Sequence, residues 1–131
     1  MAKKFTWLLP ATVYAIHGRQ IAEHGGEAGL RDEGLLESAL ARPQNLLAYG
    51  EPRPDVAALA AAYAFGLSKN HPFVDGNKRV AYVAARTLLI INGWDITATQ
   101  EEKYLTMLSL AEGNLSEGEL TGWIRLRLTR L

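Results

Sequence analysis

Nine consecutive residues, His71–Arg79, combine an imidazole, a carboxylate, an amide and two cations between two apolar segments. Histidine, with an ordinary pKa of about 6.5, can accept a proton near neutral pH. A carboxylate can hold a divalent metal, and adjacent cations can neutralise phosphate. The residue types and their spacing therefore predict a site for proton transfer and phosphate binding within one loop.

Local backbone rules place this loop between two helices. Pro72 disfavours helical geometry at His71, which predicts that the preceding helix ends near Asn70. Gly76 permits a tight turn with an accessible backbone N–H, and Asn77 is a favoured N-cap for the next helix.

Lys78 and Arg79 then lie at the positive end of a helix dipole, where cations are unfavourable. An anion bound to the free N–H groups of the first turn offsets that repulsion, and phosphate fits best. This argument predicts a phosphate site at the start of the helix.

The apolar periodicity of the remaining chain is helical, and the fold class is all-α. A short extended segment at Trp94–Thr97 has no evident second strand. Pro43 should end the second helix and leave residues 43–54 irregular. Periodicity predicts four helices: about Pro10 to His24, Asp32 to Ala41, Val56 to Lys69 (with Asp55 as its cap) and Asn77 to Ile91. Two capping boxes predict two more helices, which begin after Thr99 (with Glu102) and after Ser116 (with Glu119).

The third and fourth helices are apolar nearly all round, which is typical of the centre of a bundle. The chain is thus expected to form a compact single domain over residues 1–131, with the loop between its two central helices. His17 and His24 are interpreted as structural or surface residues, and Arg125, Arg127 and Arg130 as favourable charges near a helix C-terminus.

Composition restricts the function classes. The chain has 131 residues, 48% of them apolar, with zero formal net charge and no cysteine. General attraction to nucleic acid or anionic membrane is therefore not expected, and disulfide and thiolate metal sites are excluded. The opening residues 1–9 loosely resemble a signal peptide, but Pro10 interrupts the apolar run and no cleavage site follows. We expect a soluble cytoplasmic protein without a membrane span.

The stretch His71–Arg79 resembles the Fic/Doc signature His-x-Phe-x-(Asp/Glu)-(Gly/Ala)-Asn-(Gly/Lys)-Arg at every defined position. Lys78, at the eighth position, is similar to the Doc (death on curing) branch, whereas adenylylating Fic members usually have glycine there. Residues 29–43 are also similar to a stretch common in Doc-like toxins. The resemblance implies a Fic-fold helical bundle.

The resemblance also implies roles for the motif residues. His71 would be the general base that takes a proton from a hydroxyl of a target protein, and Asp75 would hold Mg²⁺. Phe73 would anchor the loop to the core. The phosphates of ATP would be bound by four further residues: Gly76, Asn77, Lys78 and Arg79.

The type of transfer depends on Lys78 and Tyr82. Adenylylating relatives have a second arginine where this chain has Tyr82, and Arg86 lies a further turn along. Doc-like proteins with this pattern are understood to present the γ-phosphoryl group of ATP to the hydroxyl. The expected function is a toxin kinase acting on threonine or serine of elongation factor Tu. Fic-type adenylylation and a catalytically silent binding module are the alternatives.

Two further expectations concern partners. Leu46, Leu47, Ala48 and Tyr49 either form a flap that pairs with the target backbone or belong to an ordinary packed loop. The segment Ser109–Gly113 is one residue too short for the internal inhibitory motif of self-inhibited relatives. A separate antitoxin whose disordered tail folds on binding is therefore the expected inhibitor.

Overall fold

The computed structural model describes residues 4–131, so Met1–Lys3 of the leader-like opening lie outside the described residues. The described chain is mostly helical, which confirms the all-α prediction. Six helices and one short strand pair follow in chain order: α1 (Pro10–His24), α2 (Glu33–Tyr49), α3 (Val56–Asn70), α4 (Asn77–Ile91), β1 (Trp94–Ile96), α5 (Gln100–Ala111), α6 (Glu117–Arg125) and β2 (Leu128–Arg130).

Helices α3 and α4 form the centre of the bundle, as their apolar sequences predict. Helix α3 lies between α2, α4 and α6, and α1 packs on α4. Asp55 caps α3 by accepting from the Ala58 N–H at 2.9 Å. The largest fully buried side chains of the two helices include Tyr63, Leu67 and Leu88, none more than 1% exposed. The loop between these helices is thus held by the most deeply packed part of the fold.

Helix α2 is longer than predicted, because it continues through Pro43 to Tyr49. Proline removes one N–H donor from a helix interior, yet Pro43 and Ala39 are buried against α3. Gly66 permits this packing, since a Cβ added there would lie 3.3 Å from the Ala39 backbone. Burial along the α2–α3 contact offsets the lost hydrogen bond, and the prediction that Pro43 ends the helix is wrong.

The extended segment after α4 does have a partner. Strand β1 pairs antiparallel with β2, with Trp94 opposite Arg130 and Ile96 opposite Leu128. Both predicted capping boxes are present, at Thr99 with Glu102 and at Ser116 with Glu119. The strand pair returns the C-terminal segment to the end of α4.

Within residues 4–131, no helix combines the length and apolar character needed to span a bilayer.

Candidate active site

The loop 71–76 is held by an extended segment that precedes α2. Backbone N–H groups of Arg31 and Asp32 donate to Pro72 O at 2.7 and 3.0 Å, and Val74 N–H donates to Gly29 O at 3.0 Å. Leu30 and Phe73 form an isolated antiparallel β-bridge. These backbone contacts fix the course of the loop independently of its side chains.

His71 lies at the junction of α3 and the loop. It is the only non-glycine residue with positive φ among the described residues, at φ 52° and ψ 52°. Left-handed geometry is disfavoured for a residue with a Cβ. It turns the chain out of α3 and leaves the His71 side chain exposed at the surface. The helix ends at Asn70, as Pro72 predicts.

Asn77 does not cap α4. Gly76, in a left-handed conformation at φ 79°, is the N-cap, and Asn77 is the first helical residue. Its side chain is 4% exposed and turns back into the loop. There the amide oxygen accepts from Phe73 N–H at 3.0 Å and Nδ2 donates to Phe73 O at 2.9 Å. The N-cap prediction is wrong because glycine adopts the required backbone conformation more easily.

The Asn77 amide also determines the state of the His71 ring. Phe73 N–H can only donate and Phe73 O can only accept, so the oxygen and nitrogen of the amide are assigned without ambiguity. The remaining Nδ2 hydrogen points to His71 Nδ1 at 3.1 Å. Nδ1 is therefore an acceptor, and neutral His71 carries its hydrogen on Nε2. The amide has no donor left for phosphate in this arrangement.

Phe73 lies in the core, 1% exposed, where His17 stacks on it with ring centroids 3.9 Å apart. His17 is 6% exposed, and its Nε2 lies 2.9 Å from Asp75 O, which can only accept a hydrogen bond. His17 therefore joins α1 to both Phe73 and Asp75. Of the two histidines assigned to structural or surface positions, His17 is structural and His24 is exposed.

The Asp75 carboxylate accepts two backbone hydrogen bonds, from Gly76 N–H to Oδ1 at 2.8 Å and from Glu27 N–H to Oδ2 at 3.3 Å. These bonds, with Arg79 and His17 nearby, lower the pKa of Asp75 below its ordinary value. The Gly76 N–H is engaged by this carboxylate and is not accessible as predicted.

An ionised carboxylate suits Mg²⁺, which is commonly held by one or two carboxylates together with phosphate oxygens and waters. Between residues 4 and 131 no three His, Asp or Glu side chains are grouped as a metal site. Asp75 fits the role of a single protein ligand to a metal that nucleotide phosphates also bind.

The first turn of α4 presents free N–H groups and two cations. Val80 N–H donates to Gly76 O, so the N–H groups of residues 77–79 precede the first intrahelical bond. Lys78 and Arg79 are exposed, and Arg79 contacts Gly25 O at 3.5 Å. The helix dipole and both side chains favour an anion at this position.

A cleft of about 480 Å³ continues from these cations between α1, α4 and α5, and we call it the α1/α4/α5 cleft. No carboxylate of the described chain lines it. Its lining includes a third cation and an apolar part: Lys103, Tyr82, Tyr104 and Met107. Lys103 Nζ lies 5.7 Å from the Tyr82 ring centroid.

Tyr82 lines this cleft from α4. Its hydroxyl is buried and has no hydrogen-bond partner among the described residues, and burial raises the pKa of the phenol. Arg86, one turn further along α4, forms a two-pronged ion pair with Asp95 at 2.9 and 3.0 Å. It is therefore committed to β1 and not to the cleft.

The residues predicted as a flap lie elsewhere. Leu46–Tyr49 form the last turn of α2, and the Leu46 carbonyl accepts from Gly50 N–H at 2.8 Å. Their backbone is helical, so the prediction of an irregular segment is wrong, while the role of these residues in binding a target stays a prediction. Tyr49 is 83% exposed and lines a second groove between α2 and α3 that reaches Asn70.

The C-terminal arginines bind within the fold. Arg125 pairs with Asp55 at 2.7 Å, Arg127 stacks on Trp123 with its guanidinium 4.4 Å from the ring centroid, and Arg130 lies over Trp94. These contacts support the structural interpretation of the cluster.

Sequence reasoning missed the contacts of Arg31 and His17 with the motif loop, and it missed the α5 residues of the cleft. His17 follows Val13 by four residues on the inward face of α1, and that spacing was a usable signal. Lys103 and Tyr104 carry no such signal, because their approach to α4 depends on the tertiary fold.

Comparisons with known proteins identify the family of the chain. The model of the Fic/DOC family matches residues 7–89, which include the whole motif loop. "Toxin Doc" of Mycolicibacterium smegmatis is 47% identical over 74 residues, and the match spans 56% of this chain but just over half, 57%, of that toxin. "Protein kinase doc" of Escherichia phage P1 is 31% identical over 116 residues, 88% of this chain and 90% of the phage protein. The chain belongs to the Fic/DOC family.

Proposed function

We propose that this protein is a toxin kinase that transfers the γ-phosphoryl group of ATP to a serine or threonine hydroxyl of a translation factor. Elongation factor Tu is the target that the family resemblance suggests, and its modification would arrest protein synthesis in the cytoplasm. The names of the relatives, a toxin and a protein kinase, support this proposal.

The observation that carries the proposal is the composition of the cleft beside Tyr82. Adenylylating relatives need an arginine at that position for the terminal phosphate of the nucleotide. Here Tyr82 stands at that position with its hydroxyl buried, and Met107 and Tyr104 of α5 line the same cleft. The aromatic and apolar part of this lining suits a nucleoside, because such side chains bind rings, and Lys103 in the same cleft suits a phosphate of the same nucleotide. With the nucleoside there, the γ-phosphoryl group points back to the first turn of α4.

In this mechanism the hydroxyl oxygen attacks the γ-phosphorus while the bond to the β–γ bridging oxygen breaks, releasing ADP. Lys78, Arg79 and the open N–H groups of α4 stabilise the charge on the transferring group. Mg²⁺ held by Asp75, when bound, supplies further charge neutralisation. These residues supply mainly position and charge, as phosphoryl transfer requires.

His71 accepts the hydroxyl proton at Nε2. A neutral ring that accepts there must carry its hydrogen on Nδ1, the opposite of the arrangement that the Asn77 amide imposes. Binding of substrate must therefore weaken the Nδ1–Asn77 contact or turn the ring. Because His71 is exposed, this change needs no rearrangement of the core.

An antitoxin supplied by a separate chain would restrain the activity, as the toxin relative suggests. The mass gained by a modified protein tests the function. The purified chain is incubated with Mg-ATP and cell lysate, and a phosphate increment on one protein is expected. An AMP increment would instead support adenylylation, and no modification together with no growth arrest would support a silent module.

His71→Ala provides the matched control in this experiment. The side chain is exposed, so the variant should unfold at the wild-type temperature while losing transfer. Transfer at the wild-type rate by this variant would show that His71 is not the base.

A further inference from the structure

We propose that Arg31 is a positioning residue for His71, which holds the catalytic ring in place without touching substrate. This inference rests on the proposed function, in which His71 is the base that must be positioned. It does not depend on which part of ATP is transferred.

Two hydrogen bonds from one guanidinium carry the proposal. Arg31 Nε donates to His71 O at 2.8 Å, and Nη2 donates to Asn70 O at 2.9 Å. Both carbonyls lie at the C-terminus of α3, where intrahelical donors are lacking. The planar fork of arginine binds two adjacent oxygens together, and its charge suits the negative end of the helix dipole.

The conformation of His71 explains why such a contact is needed. His71 is held at φ 52° and ψ 52°, which a residue with a Cβ rarely adopts. A conformation of this kind persists only where the surroundings enforce it. Arg31 binds the carbonyl of this very residue and so restrains the peptide that directs the ring.

The rest of the loop is held by other groups. The main-chain N–H groups of Arg31 and Asp32 bind Pro72 O, and Phe73 is buried in the core. Removing only the Arg31 side chain therefore leaves the loop attached and takes away the hydrogen bond to the carbonyl of its first residue, whose N–H still binds Leu67 O. The Arg31 side chain forms no ion pair with a carboxylate in the described structure, and both of its bonds end on the α3 terminus.

Arg31→Ala tests the proposal, with Arg19→Ala as the matched control. Arg19 is an exposed arginine on α1 that pairs with Glu23, one helical turn away. For Arg31→Ala we expect kcat for transfer to fall by about 10- to 100-fold, since small misplacements of a catalytic group have effects of this order. The KM for ATP and the unfolding temperature should stay close to those of Arg19→Ala.

Two further readouts separate positioning from folding. The intraresidue HN–Hα nuclear Overhauser effect of His71, which is strong at positive φ because the two hydrogens lie close together, should weaken in Arg31→Ala. Added guanidinium ion, at concentrations that do not unfold the protein, should restore part of the activity by occupying the vacated place.

Equal kcat for the two variants would overturn the proposal, as would a loss of kcat accompanied by matching losses of ATP affinity and thermal stability. An unchanged intraresidue Overhauser effect at His71 would also overturn it. If wild-type protein transfers nothing from ATP, the proposed function fails. The Overhauser measurement still decides whether Arg31 holds His71.

Discussion

Replacing Asn77 by alanine tests whether this residue stabilises the fold as a helix N-cap or by holding the motif loop. A helix N-cap contributes typically about 1 kcal/mol, so a cap role predicts a loss of that order. The structure shows instead a buried amide that satisfies both backbone groups of Phe73 and contacts His71. Alanine would leave the Phe73 N–H and C=O without partners beside the core.

The magnitude follows from those two groups. A buried donor or acceptor that loses its partner costs roughly 1–3 kcal/mol. Part of this cost is recovered because the loop lies near the surface and water can enter. We therefore expect Asn77→Ala to lower the free energy of unfolding by about 2–4 kcal/mol, a large share of the roughly 5–15 kcal/mol typical of a domain.

Urea unfolding followed by far-ultraviolet circular dichroism measures this difference. Asn45→Ala is the matched control, because Asn45 is an exposed asparagine within α2. It should change stability by no more than about 0.5 kcal/mol. A loss near 1 kcal/mol or below for Asn77→Ala, with an unchanged m-value, would refute the reasoning and restore the cap interpretation.

Three other predictions concern charge and backbone. Arg79→Ala should weaken binding of a non-hydrolysable ATP analogue by about 10- to 100-fold in calorimetric titration, since a charge-assisted bond contributes about 1.5–3 kcal/mol. The Arg125 guanidinium lowers the pKa of Asp55, so this pair should stabilise the fold above pH about 4 and lose its effect as pH falls further. The free energy of unfolding should therefore be higher for wild type than for Asp55→Asn at neutral pH. The two values should converge as the pH is lowered in an acid titration. Gly26→Ala should raise the Mg²⁺ concentration needed for half-maximal transfer, because its Cβ would lie 2.7 Å from Asp75 Oδ2 at a backbone φ of +113°.

Gly25→Ala is the control for the last of these. Gly25 also has positive φ, at +78°, but a Cβ there meets nothing within 4 Å. Both variants carry backbone strain, and Gly26→Ala adds the contact with Asp75 and a contact with the end of the flexible Ile21 side chain. Equal Mg²⁺ dependence in the two would show that the carboxylate position is unimportant. For the acid titration, a constant gap between wild type and Asp55→Asn down to pH about 2 would contradict the role of the ion pair.

The sequence predicted the two central helices well because their ends depend on local backbone chemistry. Asp55 caps α3, and Pro72 ends it at Asn70. The start of α4 at Asn77 follows from Gly76. The position of the motif between these helices could be predicted for the same reason.

Features that depend on distant contacts could not be predicted in this way. Strand β2 exists because residues 128–130 pair with β1, and nothing in their composition signals it. Pro43 remains helical because tertiary burial overrides its local preference.

Within the site, residue types were more predictable than hydrogen bonds. The Asn77 amide donates to Phe73 O, and the Asp75 carboxylate accepts a hydrogen bond from the Gly76 N–H. Each of these two pairings depends on backbone angles that the sequence does not specify.

Labelled ATP tests the central claim most directly. Parallel reactions contain the protein, Mg²⁺, the isolated target and ATP carrying radioactive phosphorus at either the γ or the α position. We predict that the target is labelled only by γ-labelled ATP and that ADP accumulates in proportion to the label transferred. Label from the α position, with release of pyrophosphate, would contradict the account and show that the nucleotide lies in the site in the opposite direction.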